Sequence, residues 1–414
     1  MNAINPSPTI TSGQKKALLS ASLGWMLDSM DVMLYTMVLA HLMNHFGMTK
    51  TTGGFLISLT LLASAVGGVL FGIIADRMGR VKALMGSILI YSIFTGACGF
   101  AGSIWQLAIF RILLGLGMGG EWTTGAALVA ETWPAQHRGK AMGIMQSSYA
   151  VGYALAALIA ALILPRLGWR WVFFIGFFPA LLIFWIQRHV EEPEIWKKAK
   201  VAHSHEKKKI KESLMEIMRP PYLKRTLITT TLNAGTMFAW WGLFTWIPAY
   251  LSLPVTDGGM GLNVTKTSTW VIIQQLGMWC GYVSFGFICD KIGRKKTYMM
   301  FLFTAAFLVL LYSSTRNQLA LLILGPLLAF FGTGYFSGFG TITAEIFPTR
   351  IRATAQGLTY NIGRGLSALA PLTIGALATM FGLRVSFYVT AFFFLFSACF
   401  AFFLPETKGK ELEL

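Results

Sequence analysis

A pair of carboxylates interrupts an otherwise apolar run near the N-terminus, GWMLDSMDVMLYTMV, residues 24–38. Asp28 and Asp31 are three residues apart, so a helix would present both on one side. A carboxylate near the centre of a bilayer costs at least about 2.5 kcal/mol, and acids at such a depth usually serve a function. The pair is therefore interpreted as a proton site. A fixed ion pair between two helices is the alternative.

A second candidate is the arginine in the apolar stretch YNIGRGLSALAP. Arginine does not lose its proton, and its planar fork matches a carboxylate with two parallel hydrogen bonds. Because Gly363 and Gly365 leave room around Arg364, this arginine is predicted to bind the carboxylate of a small anion. The alternative is a structural contact with Glu121 or with a helix carbonyl. The polar side chains predicted to complete the site are Gln146, Tyr149, Gln274, Gln275 and Asn233.

Five ionisable groups, three acidic and two basic, lie inside apolar runs, and Glu121 and Arg111 are the remaining two. At 1.5 Å per residue, Asp28, Glu121 and Arg364 each lie about 15–16 Å from the end of their own run. Arg111 lies roughly 9 Å from the end of its run. Glu121 and Arg111 are therefore predicted to take part in proton coupling together with the aspartates.

The elements that must position these groups are membrane-spanning helices. Of the 414 residues, 55% are hydrophobic and 12% are charged, and the mean hydropathy is +0.61. Soluble domains carry about 25% charged residues, so the composition predicts an all-α integral membrane protein. Apolar runs of about 20 residues predict twelve spans. They lie near 17–42, 53–75, 83–103, 105–130, 140–164, 171–189, 225–250, 267–289, 297–315, 318–344, 354–380 and 385–404.

The positive charges orient these spans. Of the 34 Lys and Arg residues, 26 fall in the termini and loops of one side, six fall on the other side and two lie inside spans. This asymmetry is the positive-inside rule, and it predicts both termini in the cytoplasm and a multi-pass protein of the plasma membrane, which is the inner membrane of a bacterium. The first sixteen residues lack a signal-peptide pattern, so the first span is expected to be retained. The net charge of +17 therefore requires no nucleic-acid partner.

Other chemistries find little support in the sequence. The four cysteines lie in or beside spans without the spacing of metal ligands, so no metal site is predicted. No nucleophile arrangement, metal cluster or phosphate-binding loop is visible, so neither an enzyme nor a cofactor is predicted. A non-transporting membrane receptor is a remote alternative.

The chain divides into two halves that repeat each other. GIIADRMGRVK begins at residue 72 and GFICDKIGRKK at residue 286, an offset of 214, and the offset continues from residues 131–143 to residues 345–357. A parallel repeat of six spans is typical of one large class of secondary transporters. The predicted division is a tail at 1–16, a six-helix bundle at 17–190, a cytoplasmic linker at 191–222, a second bundle at 223–404 and a tail at 405–414.

The paired loop motifs resemble the signature loops of the major facilitator superfamily. RILLGLGMGGEW at 111–122 and ETWPAQHRGKAMG at 131–143 are similar to the branch that holds sugar porters and organic-acid symporters. Within that branch, GWMLDSMDVMLY resembles the first span of aromatic acid:proton and sialate:proton symporters. The sugar-porter motif Pro-Glu-Ser-Pro-Arg is replaced here by VEEPEIW, which disfavours the sugar porters.

The resemblance implies two pseudo-symmetric six-helix bundles with a substrate site between them, and it implies that Asp31 and Arg111 meet beside the central cavity. The signature loops are expected to hold the two bundles together on the inner side while the outer side is open. The residues of this predicted gate are Asp76, Arg77, Gly79, Arg80, Glu131, Arg138, Asp290, Gly293, Arg294, Glu345 and Arg352.

The sequence thus predicts a monomeric, proton-coupled symporter that imports a small organic anion by alternating access. A sialate-, aromatic-acid- or lactate-like monocarboxylate is the expected substrate, and protons and the lipid bilayer are the other expected partners. The alternative of the same class is a proton-coupled sugar or polyol symporter, in which Arg364 would be structural.

Overall fold

The computed structural model describes residues 10–194, 196–197 and 215–408. Most of the predicted linker and the ends of both predicted tails lie outside these residues. Within them the chain forms helices and contains no β-strand. The α-helices are α1 (Ser12–Phe46), α2 (Lys50–Met78), α3 (Arg80–Cys98), α4 (Ile104–Thr132), α5 (Ala135–Leu167), α6 (Trp169–Ile175), α7 (Leu182–His189), α8 (Leu223–Phe244), α9 (Ile247–Ser252), α10 (Val264–Ile292), α11 (Arg294–Ser314), α12 (Gln318–Thr333), α13 (Phe336–Ile346), α14 (Thr349–Ser367), α15 (Leu369–Phe381) and α16 (Leu383–Phe400).

Eleven helical stretches of the described chain are long and apolar enough to cross a membrane. Three of them are interrupted helices, formed by α6 with α7, by α12 with α13 and by α14 with α15. The remaining predicted span corresponds to α8, which has 22 residues but is rich in threonine and therefore less apolar. Its polar composition fits a helix that borders a water-accessible cavity rather than lipid alone.

The helices pack in two halves. In the N-terminal half, α1 packs on α5, and α4 packs on both α2 and α3. In the C-terminal half, α8 packs on α14 and α16, and α10 packs on α12. The halves meet along α5 with α10 and along α2 with α15. Close approach of α2 and α4 requires Gly119, because a methyl group there would overlap the Ser64 carbonyl oxygen.

Each signature loop turns at a glycine that no other residue type replaces without strain. Gly79 has φ = 119° and Gly293 has φ = 105°, a backbone region that L side chains rarely adopt. The helix that follows each glycine is capped by a distant glutamate. The Glu192 carboxylate accepts backbone N–H groups from the first turn of α3, and the Glu406 carboxylate accepts the backbone N–H of Arg294 at 2.9 Å.

Glu192 and Glu406 are themselves separated by 214 residues, so the internal repeat includes these caps. Sequence reasoning missed their capping role, although the segment VEEPEIW contains one of them. Partial burial opposes ionisation of Glu406, but several backbone N–H donors outweigh it and hold the pKa of this carboxyl below its usual value of 4.5. The carboxylates thus tie the inner end of each half to its signature loop.

The two halves are joined at their outer ends, opposite the basic loops. The hydroxyls of Thr51 and Thr379 are 3.0 Å apart, and Lys50 Nζ donates to the Asp257 carbonyl oxygen at 2.8 Å. Deeper in the molecule, the Tyr153 hydroxyl donates to the carbonyl oxygen of Phe244 at 2.9 Å. A further contact between the halves is the hydrogen bond that the Leu372 N–H donates to Ser58 Oγ. The structure therefore represents a state that is closed on the outer side.

Removal of the Glu192 cap is expected to destabilise the N-terminal half. Glu192→Ala should cost about 0.5–2 kcal/mol, since loss of a helix N-cap has this effect. Glu191→Ala, next to it and exposed, is the matched control and should have no measurable effect. The measurement is the melting temperature of the purified protein in detergent. Equal melting temperatures for wild type and Glu192→Ala would contradict the capping role.

The repeat predicts the same loss for Glu406→Ala, with a defined pH dependence. Because the pKa of Glu406 is lowered in the folded state, its stabilisation is complete above about pH 4.5 and is lost as the pH falls through the lower folded value. Wild type and Glu406→Ala should therefore differ in melting temperature at neutral pH and converge in acid.

Candidate functional site

A small cavity lies between the halves, at their interface of α1, α5, α8, α10, α13 and α14. Its volume is about 40 Å³, which is room for a few water molecules in this state. Aromatic rings dominate the wall, and one cation lies among them. The lining residues are Trp25, Gln146, Tyr149, Met237, Trp240, Trp241, Tyr282, Phe336, Tyr360 and Arg364.

The aromatic rings of this wall contact one another. The ring centroids of Trp25 and Tyr149 are 5.1 Å apart, those of Tyr149 and Trp240 are 5.7 Å apart, and those of Trp240 and Trp241 are 4.8 Å apart. These separations are favourable for aromatic pairs. The rings therefore form an aromatic cage, here defined as Trp25, Tyr149, Trp240 and Trp241, that offers flat apolar faces to a ligand.

Arg364 is the only charged side chain that lines this cavity in the described chain. It lies near the end of α14, and only 4% of its surface is exposed. Asp28 and Glu121, both buried, interact with it electrostatically. Neither carboxylate forms an ion pair or accepts a hydrogen bond within the described residues. The arginine thus lines the cavity, and the two buried acids that interact with it have no hydrogen-bond partner in the described chain.

Glu121 lies where α4 crosses α1. A methyl group on Gly24 would overlap its carboxylate, so the glycine makes space for the acid one helical turn before Asp28. The Tyr91 ring lies near all three acids, and its hydroxyl donates to the Gly24 carbonyl oxygen at 3.4 Å. The three carboxyl groups therefore form one buried cluster in the N-terminal half.

Asp31 does not share the environment of Asp28. A step of three residues rotates a side chain by about 60° around the helix axis, and this turns Asp31 toward α3 and α6. One of its carboxylate oxygens accepts a hydrogen bond from the Thr95 hydroxyl at 3.0 Å, and the other lies against Gly176 without a partner. Asp31 is therefore a buried acid of the N-terminal half that does not line the cavity.

The predicted contact between Asp31 and Arg111 is wrong for this structure. Arg111 lies 3.9 Å above the centre of the Tyr35 ring, and its Nε donates to the Leu56 carbonyl oxygen at 3.4 Å. Its Nη1 has no hydrogen-bond partner in the described chain. Tyr35 lies one turn farther along α1 than Asp31, so the guanidinium packs on a neighbouring ring of α1 and not on the carboxylate.

The predicted polar residues separate into two groups. Gln146 and Tyr149 line the cavity, and Tyr282 lines it with them. The remaining three do not line the cavity in this state. Asn233 packs against Gly363, and the amide nitrogens of Asn233, Gln274 and Gln275 are buried without hydrogen-bond partners.

Sequence reasoning missed most of the aromatic wall. It did not identify Trp25, Trp240, Tyr282, Phe336 and Tyr360, because aromatic residues in spans usually serve packing or anchor the interface. A usable signal does exist for two of them. Trp25 precedes Asp28 by three residues and Tyr360 precedes Arg364 by four, so a helix places each ring beside a candidate charge.

A stacked aromatic pair joins the halves on the inner side of the cavity. The rings of Trp122 on α4 and Tyr360 on α14 are 4.1 Å apart and inclined by 7°. The pair connects the two halves, since α4 belongs to one and α14 to the other. Trp122 directly follows Glu121, and Tyr360 lies one helical turn toward the inner end from Arg364. The pair therefore forms an inner floor beneath the candidate site.

The signature loops make their ion pairs within each half. Arg80 pairs with Asp76 and with Glu131, in both cases at 2.8 Å. The second copy repeats this arrangement, in which Arg294 pairs with Asp290 at 2.7 Å and with Glu345 at 3.1 Å.

No ion pair of the described residues joins the two signature loops across the halves. The predicted clasp concerns the outward-open state, so it stays a prediction. Of the remaining predicted gate arginines, Arg77 is exposed, and the side chains of Arg138 and Arg352 lie outside the described part of the structure.

Comparison with known proteins identifies similar chains. The family profile described as Major Facilitator Superfamily matches residues 21–262 and 253–413. A cis,cis-muconate transport protein of Acinetobacter baylyi is 33% identical over 95% of both chains. A sialic acid transporter of Escherichia coli is 32% identical over 91% of this chain and 90% of its own. A solved D-xylose–proton symporter superposes with a TM-score of 0.78, at 21% identity, over 97% of this chain and 100% of its own. The predicted all-α membrane fold class is confirmed.

Loss of the inner floor is expected to open the cavity toward the basic side. Trp122→Ala removes one ring of the stacked pair, which is worth about 0.5–1.5 kcal/mol beyond the area that it buries. A cysteine placed at Met237 in the cavity wall should therefore react roughly 2–10-fold faster with a membrane-impermeant thiol reagent applied from that side. Trp105→Ala is the matched control, because this tryptophan of the same helix is 78% exposed. Unchanged labelling in Trp122→Ala would contradict the role of the floor.

Proposed function

Since the chain belongs to the major facilitator superfamily, and is therefore a multi-span membrane transporter rather than an enzyme, we propose that it carries a small organic anion inward together with protons. The observation that carries this proposal is the buried guanidinium of Arg364 in a cavity otherwise lined by uncharged residues. A permanent positive charge in the middle of a membrane protein needs a negative partner. Because the guanidinium lines a cavity, the carboxylate of a bound substrate can be this partner.

The aromatic cage narrows the substrate class. Flat conjugated molecules stack on aromatic rings, whereas the polar faces of a sugar need hydrogen-bond partners. The wall offers only a few polar side chains besides Arg364, chiefly Gln146, Tyr149 and Tyr282. The names of the relatives, which include muconate and sialic acid transporters, support a carboxylate as the common substrate group. A compact carboxylate with a planar or conjugated body therefore fits this site best.

Proton coupling is proposed to involve the acids that interact with Arg364. In the absence of substrate, the carboxyl groups of Asp28 and Glu121 interact favourably with the positive charge of Arg364. When a substrate carboxylate engages Arg364, these acids lose part of that favourable interaction inside an apolar environment, and one of them takes up a proton. The bound substrate and the bound proton then neutralise the site together, so the loaded carrier crosses its closed state without excess buried charge.

Asp28 is the first choice for this proton, and Glu121 the second. Asp28 lies one helical turn from the cage residue Trp25 and interacts with Arg364 electrostatically. Asp31 and Arg111 are proposed to influence the proton site indirectly. The Tyr91 ring lies near all three acids, so these acids are close together. A change of charge at Asp28 therefore changes the electrostatic potential at Asp31.

Alternating access is proposed to open and close two sets of contacts in turn, the contacts at the outer ends of the halves and the Trp122–Tyr360 floor. In the present state the outer contacts are closed, and the Trp122–Tyr360 floor separates the cavity from the inner side. One face of α10 carries Ser268, Gln275 and Tyr282 at intervals of seven residues, and buried polar atoms of the first two lack partners. This face is proposed to line the outward-open path, where Gln275 and its neighbours Gln274 and Asn233 would meet water or substrate.

The orientation follows the basic loops. We place both termini on the cytoplasmic side of the plasma membrane, with the protein acting as a monomer, because one chain contains both halves and the whole cavity. Asp76 and Asp290 are proposed to contact the opposite half only when the outer side opens.

Substitution of Arg364 tests the substrate class. Arg364→Lys retains the charge but loses the two-pronged geometry, so carboxylate binding should weaken markedly in a folded protein. Arg364→Gln should cost about 2–5 kcal/mol of binding, since a charge-assisted pair is lost. The measurement is calorimetric affinity for cis,cis-muconate, nicotinate and benzoate, and for the uncharged amide of the best binder, with a thermal melt as the folding control.

The amide gives the matched control of this experiment. It should bind wild type poorly and should discriminate little between wild type and Arg364→Gln. If Arg364→Gln binds the acid as tightly as wild type does, Arg364 is a structural residue, and the sugar or polyol symporter becomes the better interpretation.

Substitution of Asp28 tests the coupling. Asp28→Asn should abolish uphill accumulation of the substrate driven by an inward proton gradient, while exchange of labelled for unlabelled substrate continues, because exchange does not require release of the proton. Both rates are measured in proteoliposomes. Asp31→Asn is the comparison variant and should retain more accumulation than Asp28→Asn, since the Asp31 carboxylate is bound by Thr95 and does not interact with Arg364. Accumulation at the wild-type level in Asp28→Asn would exclude this acid and leave Glu121.

A further inference from the structure

A second cavity lies within the C-terminal half, far from the site between the halves. It occupies about 230 Å³ at the inner, basic end of the bundle, between the start of α8, the end of α13 and the segment after α16. At roughly 10–15 Å³ for each water molecule, this volume exceeds what a phosphate group needs. The transport cycle proposed above assigns no role to this cavity.

The cavity has an excess of positive charge. Lys224 and Arg225 both line it, and neither forms an ion pair with a carboxylate of the described chain. The one acid in the wall, Glu345, is already engaged, because it pairs with Arg294 and accepts a hydrogen bond from the Thr407 hydroxyl. Lys224 and Arg225 therefore face a space in which the one acid of the described lining, Glu345, is already paired.

The internal repeat shows that the charge of Arg225 is not needed for its contact with the protein. Arg225 Nη1 donates to the Ile346 carbonyl oxygen at 2.8 Å, where the helix ends. In the N-terminal half the corresponding carbonyl is that of Thr132, 214 residues earlier, and it accepts from Gln14 Nε2 at 3.1 Å. A neutral amide thus makes the same contact in one half, whereas the other half adds a guanidinium. The added charge is available for a ligand.

The rim of the cavity carries exposed apolar side chains. Phe403 lines the cavity and is 59% exposed, and Phe402 beside it is 62% exposed. Leu227, one turn along α8 from Lys224, is also exposed. Because these side chains lie at the end of the last span, an apolar surface adjoins a cationic pocket at the level of the headgroups.

From this combination we propose that the cavity binds the phosphate headgroup of an anionic phospholipid. Lys224 and Arg225 hold the phosphate oxygens, and the acyl chains lie along Phe402, Phe403 and Leu227. The site would attach the C-terminal half to the inner leaflet during the conformational cycle. In the N-terminal half the contact with the corresponding carbonyl is made by Gln14 instead of an arginine.

Native mass spectrometry of the full-length protein in detergent tests this proposal. Wild type should retain added dioleoyl phosphatidylglycerol in preference to dioleoyl phosphatidylcholine. The double variant Lys224→Gln, Arg225→Gln should reduce phosphatidylglycerol binding roughly tenfold or more. The glutamine at position 225 can still donate to the Ile346 carbonyl, as Gln14 does in the other half, so folding should be preserved. The single variant Arg225→Gln serves if the double variant is unstable.

The matched control is Lys15→Gln, Lys16→Gln, which removes two positive charges next to Gln14 at the same end of the other half. This control should bind phosphatidylglycerol within about twofold of wild type. An equal loss of lipid in the control would show general attraction to a basic surface and would overturn the site. A last arm uses sn-glycerol 3-phosphate, which lacks acyl chains. If this compound displaces the lipid at low millimolar concentration and raises the melting temperature as much as phosphatidylglycerol does, the ligand is a soluble phosphate, and the lipid proposal is overturned.

Discussion

A permanent positive charge in an apolar membrane body is the constraint on which the centre of this protein depends. Arg364 cannot lose its proton, so its electrostatic energy depends only on the charged and polar groups that surround it. The chain supplies two buried acids that interact with the guanidinium and a cavity that the guanidinium lines. Neither acid closes an ion pair, and the arrangement therefore remains responsive to an anion that enters from outside.

Incomplete satisfaction of buried polar groups is the feature that distinguishes the site from the rest of the fold. Asp28, Glu121 and Arg111 all keep side-chain atoms without hydrogen-bond partners, and so do the amides of α8 and α10 near the cavity. Each such atom raises the energy of this particular state. A carrier that must exchange two states of similar energy needs such groups, because complete satisfaction in one state would trap it there.

At the inner ends of the two halves, by contrast, the charged side chains of each signature loop interact with residues of their own half. Arg80 and Arg294 each join an aspartate and a glutamate of their own half, and Glu192 and Glu406 cap the helices that follow the glycine turns. Each half can therefore move as a rigid body while its signature loop keeps its shape. The contacts that must break during such a movement are few and lie elsewhere, namely the outer hydroxyl and carbonyl contacts and the Trp122–Tyr360 floor.

The sequence by itself determined the membrane class, the twofold repeat and the depth of the charged groups. Hydropathy, loop charge and the offset of 214 residues are properties of the chain that need no tertiary contacts, and depth follows from the constant rise of a helix. Counting residues along each span is therefore enough to place Arg364, Asp28 and Glu121 at one level, and the offset is enough to pair the charged signature loops copy by copy.

Only the tertiary structure decided which side chains face each other. A helix position gives a direction relative to its own axis, whereas contact depends on how neighbouring helices are rotated and which side chains lie between them. Asp31 accepts a hydrogen bond from Thr95, whereas Arg111 packs on the Tyr35 ring, so the two charges do not pair. The aromatic cage also escaped sequence reasoning, since a tryptophan that lines a cavity and one that faces lipid look alike in a hydropathy pattern. The difference lies in the packing of two halves that are far apart in the chain.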